Sequence, residues 1–533
     1  MRKFDQIKFS LRKEDWKVFG LFFIFIFILF FFISSDSYTH DLWYKNDSAW
    51  FYMCGKAWMN GMIPYVDFSD SKGPLLFLIY GIGYLLSPRN YLGIFWISVF
   101  WYAVVFFINY KTVCLFVSNN RVAIFSSFLM ALALFMPYHD NEFRAEDMCV
   151  LFISSSLYSL CKVLYVDDGI DDKQLLKSCF VIGVSLGATF LIKYSNTAML
   201  LSLPIVGLIY LIKTRQNLLK PVLSLFGGLV CIFLPFLVYM LVTGSLDDFL
   251  NEYIINTLLT VRGSLGIKQD FMEMAYLFAN PVRFTILTIG ILGCLMFSQQ
   301  VTNYKWVPLL CFLWFVFIGT KHTYLTLFSC YFIPSALFFL FFNIVVADRL
   351  EKLLYNNVAW GVMVLGLMFF VVGANLIKFV GTTPLSPDLF IYNRENKKAY
   401  YDIAYLMSQI KNPTYINWDE SQEMGIGLPA NSLPGTKYWT LQSGYTSQMK
   451  ISQKKAVSSK TADFIIIPVN NIYNYHKALL LRFGYKPHYR WHHPMFGIQQ
   501  EIYSKHHLSM PAKDFHVSNM DVLLKRSFDS ADK

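Results

Sequence analysis

Residues 74–87 read PLLFLIYGIGYLLS, and how this stretch meets the membrane decides the direction of every loop after it. It is apolar throughout but only 14 residues long. As a helix it reaches about 21 Å at 1.5 Å per residue, short of the ~30 Å hydrocarbon core of a bilayer. An interfacial or re-entrant helix is therefore expected. The chain around it is too apolar for water: of 533 residues, 55% are hydrophobic, 18% aromatic and 15% charged. Mean hydropathy is +0.42. A soluble protein carries about 25% charged residues. So few charges cannot cover a water-facing surface, and the chain reads as a polytopic membrane protein. Intrinsic disorder, a collagen-like fibre and a purely soluble enzyme are excluded.

Upstream, a basic segment (Arg2, Lys3, Lys8, Arg12, Lys13) precedes an apolar run from Val18 to about Ser34. The run is too long for a signal peptide and no A-x-A site follows, so a retained first span with a cytoplasmic N-terminus is expected. Downstream, apolar stretches lie at 91–118, 122–138, 147–165, 178–195, 197–213, 221–242, 275–298, 305–319, 323–346 and 357–380. With 74–87 not crossing, the reading gives about eleven spans. The loops 111–121, 167–177, 213–220, 299–305 and 348–352 then fall inside, most with Lys or Arg, as the positive-inside rule requires. Loops 35–73, 139–146, 243–274 and 320–323 fall outside, as does everything after 380. Arg262 and Lys268 in the 243–274 loop run against the rule. The expected location is the cytoplasmic membrane.

Residues 1–380 thus form a transmembrane domain, and 381–533 a polar one. In the second, KKAYYDIAYLMSQI (397–410) and NYHKALLLRFG (474–484) read as helices. TYINW (414–418), ADFIIIPV (462–469) and FGIQQEIYS (496–504) read as strands. The alternation predicts a small extracytoplasmic α/β domain with a loosely ordered tail after about Lys505. It has no glycine-rich phosphate loop. The net charge of +11 (46 Lys and Arg, 35 Asp and Glu) fits cytoplasmic loops and lipid headgroups. No basic segment has a nucleic-acid recognition motif, so no nucleic-acid partner is expected. The nine cysteines include no CxxC pair and show no disulfide framework.

Two outer segments carry the chemistry. The first, DLWYKNDSAWFYMCGKAWMNGMIPYVDFSDSKGP (41–74), holds Asp41, Asp47, Asp67, Asp70, Lys45, Lys56 and Lys72 at the membrane edge. SAWFYMCGKAWMNG reads as an amphipathic helix lying on the bilayer, with Asn46 or Asp47 as its N-cap. The second, MPYHDNEFRAEDMCVLF (136–152), places His139, Asp140, Glu142, Arg144, Glu146 and Asp147 between apolar spans. Structural readings stand beside functional ones. Asp47 can simply cap a helix, Lys72 can snorkel, and the second segment can be a solvated loop. No cluster of His and Asp has the spacing of a metal site.

The first segment resembles the first-loop signature of bacterial GT-C glycosyltransferases related to protein O-mannosyltransferases and the lipid A aminoarabinose transferase, the glycosyltransferase family 39 type. The resemblance rests on Asp47 opening the loop helix, on Gly61, Pro64 and Tyr65, and on Lys72-Gly73-Pro74 opening the short apolar helix. Glu146, with Glu142 as the alternative, matches an acid of the next outer loop. Lys193 in GATFLIKYS matches a family lysine. A family His-Tyr has two competing counterparts: His322 with Tyr324, and Tyr331 with Pro334. The resemblance implies a polyprenyl-phosphate-linked sugar donor, a lipid, glycan or protein acceptor, and inversion in a single displacement. It needs no cofactor beyond the donor lipid. Asp47 and Glu146 are the implied catalytic residues. Lys72, Arg144 and Lys193 are candidate phosphate contacts, and Tyr65, Asp67, Asp70, Glu142 and His322 candidate substrate contacts. A lipid-glycan transporter and a non-catalytic assembly protein are the competing readings. A transporter would spread charge along a path and repeat its halves. Here charge gathers in two loops.

Overall fold

The computed structural model describes residues 13–34, 36–37, 47–88, 90–135, 142–165, 171–214, 217–256, 281–320, 332–356, 366, 402–418, 430–440, 447–469, 474–492 and 499–509. The chain divides into two compact units, one of residues 1–34, 96–238 and 261–385, the other of 35–95, 239–260 and 386–533.

Among the described residues six helices are long and apolar enough to cross a membrane: Leu92–Val113, Ala145–Tyr165, Asp172–Ile192, Tyr194–Lys213, Leu219–Thr243 and Ile333–Leu354. The expected first span is the helix Lys13–Ile33. Of the expected span at 122–138 the residues up to 135 are described, as the helices Asn120–Phe128 and Met130–Phe135 in direct succession, with Leu129 between them still helical. Just before the junction Ser126 and Ser127 turn their hydroxyls back onto the Ala123 carbonyl, at 3.1 and 2.8 Å, a bond that bends helices. Val307–Thr320 has only 14 residues, and the stretch 357–380 lies outside the described residues apart from residue 366.

In the first unit the Phe-rich opening helix is sided by burial, not by polarity. Phe22, Ile26, Phe30 and Ile33 are buried at helical spacing while Leu21, Ile24 and Ile28 are exposed. Phe22 and Phe25 meet Phe128 edge-on at 5.2 and 4.6 Å. Phe30 meets Tyr102 and Phe135 at 5.2 and 5.1 Å. The helices Asp172–Ile192 and Leu219–Thr243 touch backbone to backbone. A Cβ on Gly183 would lie 1.9 Å from the Leu225 carbonyl oxygen, and one on Gly228 would lie 2.1 Å from that of Phe180. Small residues of this kind are how helices approach closely in lipid, where the hydrophobic effect does not drive them together.

The second unit starts from the helix Asp47–Met59, packed on the helix Pro74–Leu86. The first of these is not half-exposed, as a helix lying on a bilayer would be: nine of its 13 residues are buried. The cause is Gly55, whose added Cβ would stand 2.4 Å from the Gly81 nitrogen and 2.8 Å from the Phe77 oxygen. Gly55→Ala therefore forces two backbones apart. It is expected to cost about 1–3 kcal/mol, the usual penalty of overpacking, and to lower the thermal unfolding midpoint in a fixed detergent. An unchanged midpoint would refute this contact.

The same unit holds a five-stranded sheet in the order β2-β1-β3-β5-β4. Strands β1 (Thr414–Asn417), β2 (Leu433–Pro434) and β3 (Phe464–Pro468) run parallel, and β5 (Gln499–Ser504) and β4 (Lys486–His492) add antiparallel. Central β3 is buried at all five positions, as FIIIP predicts. The core is Ile416, Trp418, Val457, Ile465, Ile467, Leu480 and Tyr503. β4, KPHYRWH, went unread in the sequence. Its exposed Lys and Arg side chains belong to an edge strand, where charge discourages pairing with other chains. Residues 505–509 are described, and the rest of the expected tail lies outside the described residues.

Candidate functional site

The first-loop candidates all belong to the second unit. Asp47 is the first residue of the helix Asp47–Met59 and is exposed. The chain then turns through residues 60–73, and two candidates are spent on that turn. Asp67 Oδ2 accepts the Ile63 amide at 2.7 Å. Tyr65 is buried in a left-handed conformation (φ 68°) and its hydroxyl donates to the Lys72 carbonyl at 2.6 Å. Both shape the loop that presents Asp70 and Lys72.

Asp70 is 4% exposed. Its Oδ1 accepts the Ser71 hydroxyl at 3.3 Å. Its Oδ2 is buried with no hydrogen-bond partner among the described residues. Burial raises the Asp70 carboxyl above the usual carboxylate range. The Lys72 ammonium eases that rise and the Asp47 carboxylate adds to it. Lys72 Nζ donates to Ser71 Oγ at 3.1 Å and stands 6.0 Å from the Phe51 ring centroid. Glycine and proline at 73 and 74 start the next helix directly after it, with Pro at the first helical turn where its missing amide costs nothing.

A further lysine of this unit had no role in the sequence reading. Lys56 is fully buried, donates to the Ala430 carbonyl at 3.0 Å, and stands 6.0 Å from the Tyr84 centroid. Burial pushes its ammonium down to about 7. The one available signal was its place late in a helix where Tyr52, Met53 and Met59 lie at three- and four-residue spacing.

The second set of candidates belongs to the first unit. Arg144 Nε pairs with Glu142 at 3.3 Å. The Arg144 amide donates to Asp147 Oδ2 at 3.1 Å, which caps the helix Ala145–Tyr165 from inside. The Tyr102 hydroxyl donates to the other Asp147 oxygen. Lys193 forms a buried ion pair with Glu146. The local reason is a break. Lys193 is extended (φ −157°, ψ 106°) between the helices Asp172–Ile192 and Tyr194–Leu200, so its side chain leaves the helical surface. Ionisable groups at such depth are expensive, and pairing offsets that cost. The Asp147–Tyr102 bond was not foreseen, because nothing in the spacing of residues 102 and 147 marks it. His322 lies outside the described residues, as do Tyr324 and Tyr331.

Residues 71–239 match the family model for dolichyl-phosphate-mannose-protein mannosyltransferases. Two crystal structures of ArnT from Cupriavidus metallidurans are similar over most of both chains. The form bound to undecaprenyl phosphate gives a TM-score of 0.53 at 11% identity, covering 93% of this chain and 98% of that one. The apo form gives 0.52 at 10% identity, with the same coverage. The chain has the GT-C fold. The archaeal oligosaccharyltransferase AglB from Archaeoglobus fulgidus, in complex with an inhibitory peptide and a dolichol-phosphate, gives 0.45 at 10% identity over 96% of this chain and 76% of that one. No curated protein matches by sequence.

The family match takes in Lys72, Glu142, Arg144, Glu146 and Lys193 and begins after Asp47. The GT-C assignment also agrees with the small α/β sheet and the membrane helices. Among the described residues no group of three or more His, Cys, Asp or Glu is arranged to hold a metal ion.

Proposed function

We propose that the chain transfers a sugar from a polyprenyl-phosphate donor to a lipid, glycan or protein acceptor on the outer face of the cytoplasmic membrane. The observation that carries this reading is the loop that presents Lys72, fastened by the Tyr65 hydroxyl on the Lys72 carbonyl at 2.6 Å and followed directly by the helix Pro74–Leu86, within the stretch that matches the family model. The GT-C fold and the family match supply its context.

The chemistry needs two charges of opposite sign. Asp47 is exposed at the head of its helix and takes the proton of the acceptor hydroxyl. The freed oxygen attacks the anomeric carbon from the face opposite the phosphate. The bond from that carbon to the phosphate oxygen breaks, and its electron pair stays with the phosphate. One displacement inverts the configuration. Negative charge grows on the leaving phosphate, where the Lys72 ammonium meets it. Arg144, Glu146 and Lys193 keep the roles that the family resemblance implies. Glu146 orients the acceptor, and the two cations serve phosphate. The mutual pairing of Lys193 with Glu146 makes them one element in that scheme.

Mass spectrometry of envelope glycans and glycoproteins with and without the gene should reveal a missing sugar. The purified protein should then restore it from a polyprenyl-phosphate donor. Identical envelopes would reject the reading. Lys72→Ala should lower transfer by about 10²-fold, the scale of one lost charge-assisted contact in a transition state, with protein abundance unchanged. Unchanged initial rates would remove Lys72 from the phosphate role.

A further inference from the structure

The helix Leu246–Phe249 runs into a π-helical turn, Leu250–Ile255, where the Asn256 amide reaches back five residues to the Asn251 carbonyl. Single π turns are rare and gather at functional sites. Here the turn is built into a polar junction. Asp248 and Glu252, four residues apart and so on one face, both pair with Lys437 Nζ, at 2.7 and 3.0 Å. Glu252 is 7% exposed. Its Oε1 also accepts the Tyr438 hydroxyl at 2.6 Å, and its Oε2 accepts the Ser69 hydroxyl at 3.0 Å. The Ser69 amide donates to the Lys437 carbonyl at 2.9 Å.

The same turn reaches the loop a second time. Phe249 meets the Tyr65 ring edge-on at 5.3 Å, and the Tyr65 hydroxyl holds the Lys72 carbonyl. So the run from Tyr65 to Lys72 is fastened from residues 249–252 at two points, at Tyr65 by an aromatic contact and at Ser69 by a buried carboxylate.

We infer that Glu252 is a positioning residue for Lys72, setting the loop so that the ammonium meets the phosphate of a lipid-linked donor. This rests on the reading of Lys72 given above. Glu252 touches no reacting atom. It joins Ser69, three residues before Lys72, to Lys437 and Tyr438 of the sheet-bearing segment, so the carboxylate ties two segments more than 180 residues apart in sequence.

The test is a mutant cycle on the full chain in detergent, with undecaprenyl phosphate alone as the probe and its dissociation constant as the readout. Lys72→Ala should weaken binding about tenfold, the scale of a hydrogen bond to a charged group. Glu252→Gln should weaken it about fivefold by the same route. Because Glu252 acts through Lys72, the double variant should bind no worse than Lys72→Ala alone. A general loss of structure would instead add its effect to that of Lys72→Ala. Additive losses, or normal binding by Glu252→Gln beside a weakened Lys72→Ala, would overturn the inference. Normal binding by Lys72→Ala would strike the phosphate reading itself, a separate failure. If Glu252→Gln does not fold, Tyr438→Phe and Ser69→Ala each remove one bond of the junction and replace it in the same cycle.

Discussion

Asp47→Asn is expected to lower sugar transfer by about 10²–10⁴-fold, the range for a lost general base, while the protein reaches the membrane in normal amount. The substitution separates two functions of one side chain. Asparagine is as good a helix cap as aspartate, so the start of Asp47–Met59 is kept. It cannot take a proton, so only the chemistry is lost. Initial rates with purified protein and a polyprenyl-phosphate sugar measure the effect, beside immunodetection of the variant in membranes. Asp47→Ala removes both functions and should lower abundance as well. Normal transfer by Asp47→Asn would reject the base assignment. Loss of transfer in Asp70→Asn with normal transfer in Asp47→Asn would move the base to Asp70, the neighbouring acid with an unpartnered oxygen.

The legible parts of this protein are those fixed by local arithmetic. The shortness of PLLFLIYGIGYLLS, the helix that opens at Asp47 and the five apolar residues of β3 each follow from spacing and side-chain type, and each appears where expected. What stayed hidden depends on partners far along the chain. Lys56 finds its acceptor at Ala430, 374 positions away. Glu252 meets Tyr438 across 186 positions, so an acid in an unpatterned loop gave no sign of its place in a junction. The junction at Leu129 within 122–138 stayed hidden for a different reason. Hydropathy counts Ser126 and Ser127 as mild interruptions, whereas their hydroxyls compete for backbone carbonyls and bend the helix. Asp67 and Tyr65 show that polar residues of such a loop can shape its turn, which their spacing alone does not reveal.

The buried pair of Lys193 and Glu146 carries the second large effect. Removing one partner leaves the other charge in an apolar surrounding, and the usual cost is about 3–5 kcal/mol. Glu146→Gln and Lys193→Met should therefore each lower the unfolding temperature strongly. The double substitution removes both charges at once. It should regain most of that loss, since two neutral groups of similar volume pack where the ion pair did. Thermal unfolding of the four proteins in one detergent gives the coupling directly. A stable Glu146→Gln variant would show that the pair does not hold the helix break at Lys193, and would return both side chains to the pool of candidate substrate contacts. The double variant also isolates function from fold. If it is stable but transfers no sugar, the charges act in the reaction. If it is stable and active, their work is confined to carrying an extended lysine through the junction between Asp172–Ile192 and Tyr194–Leu200.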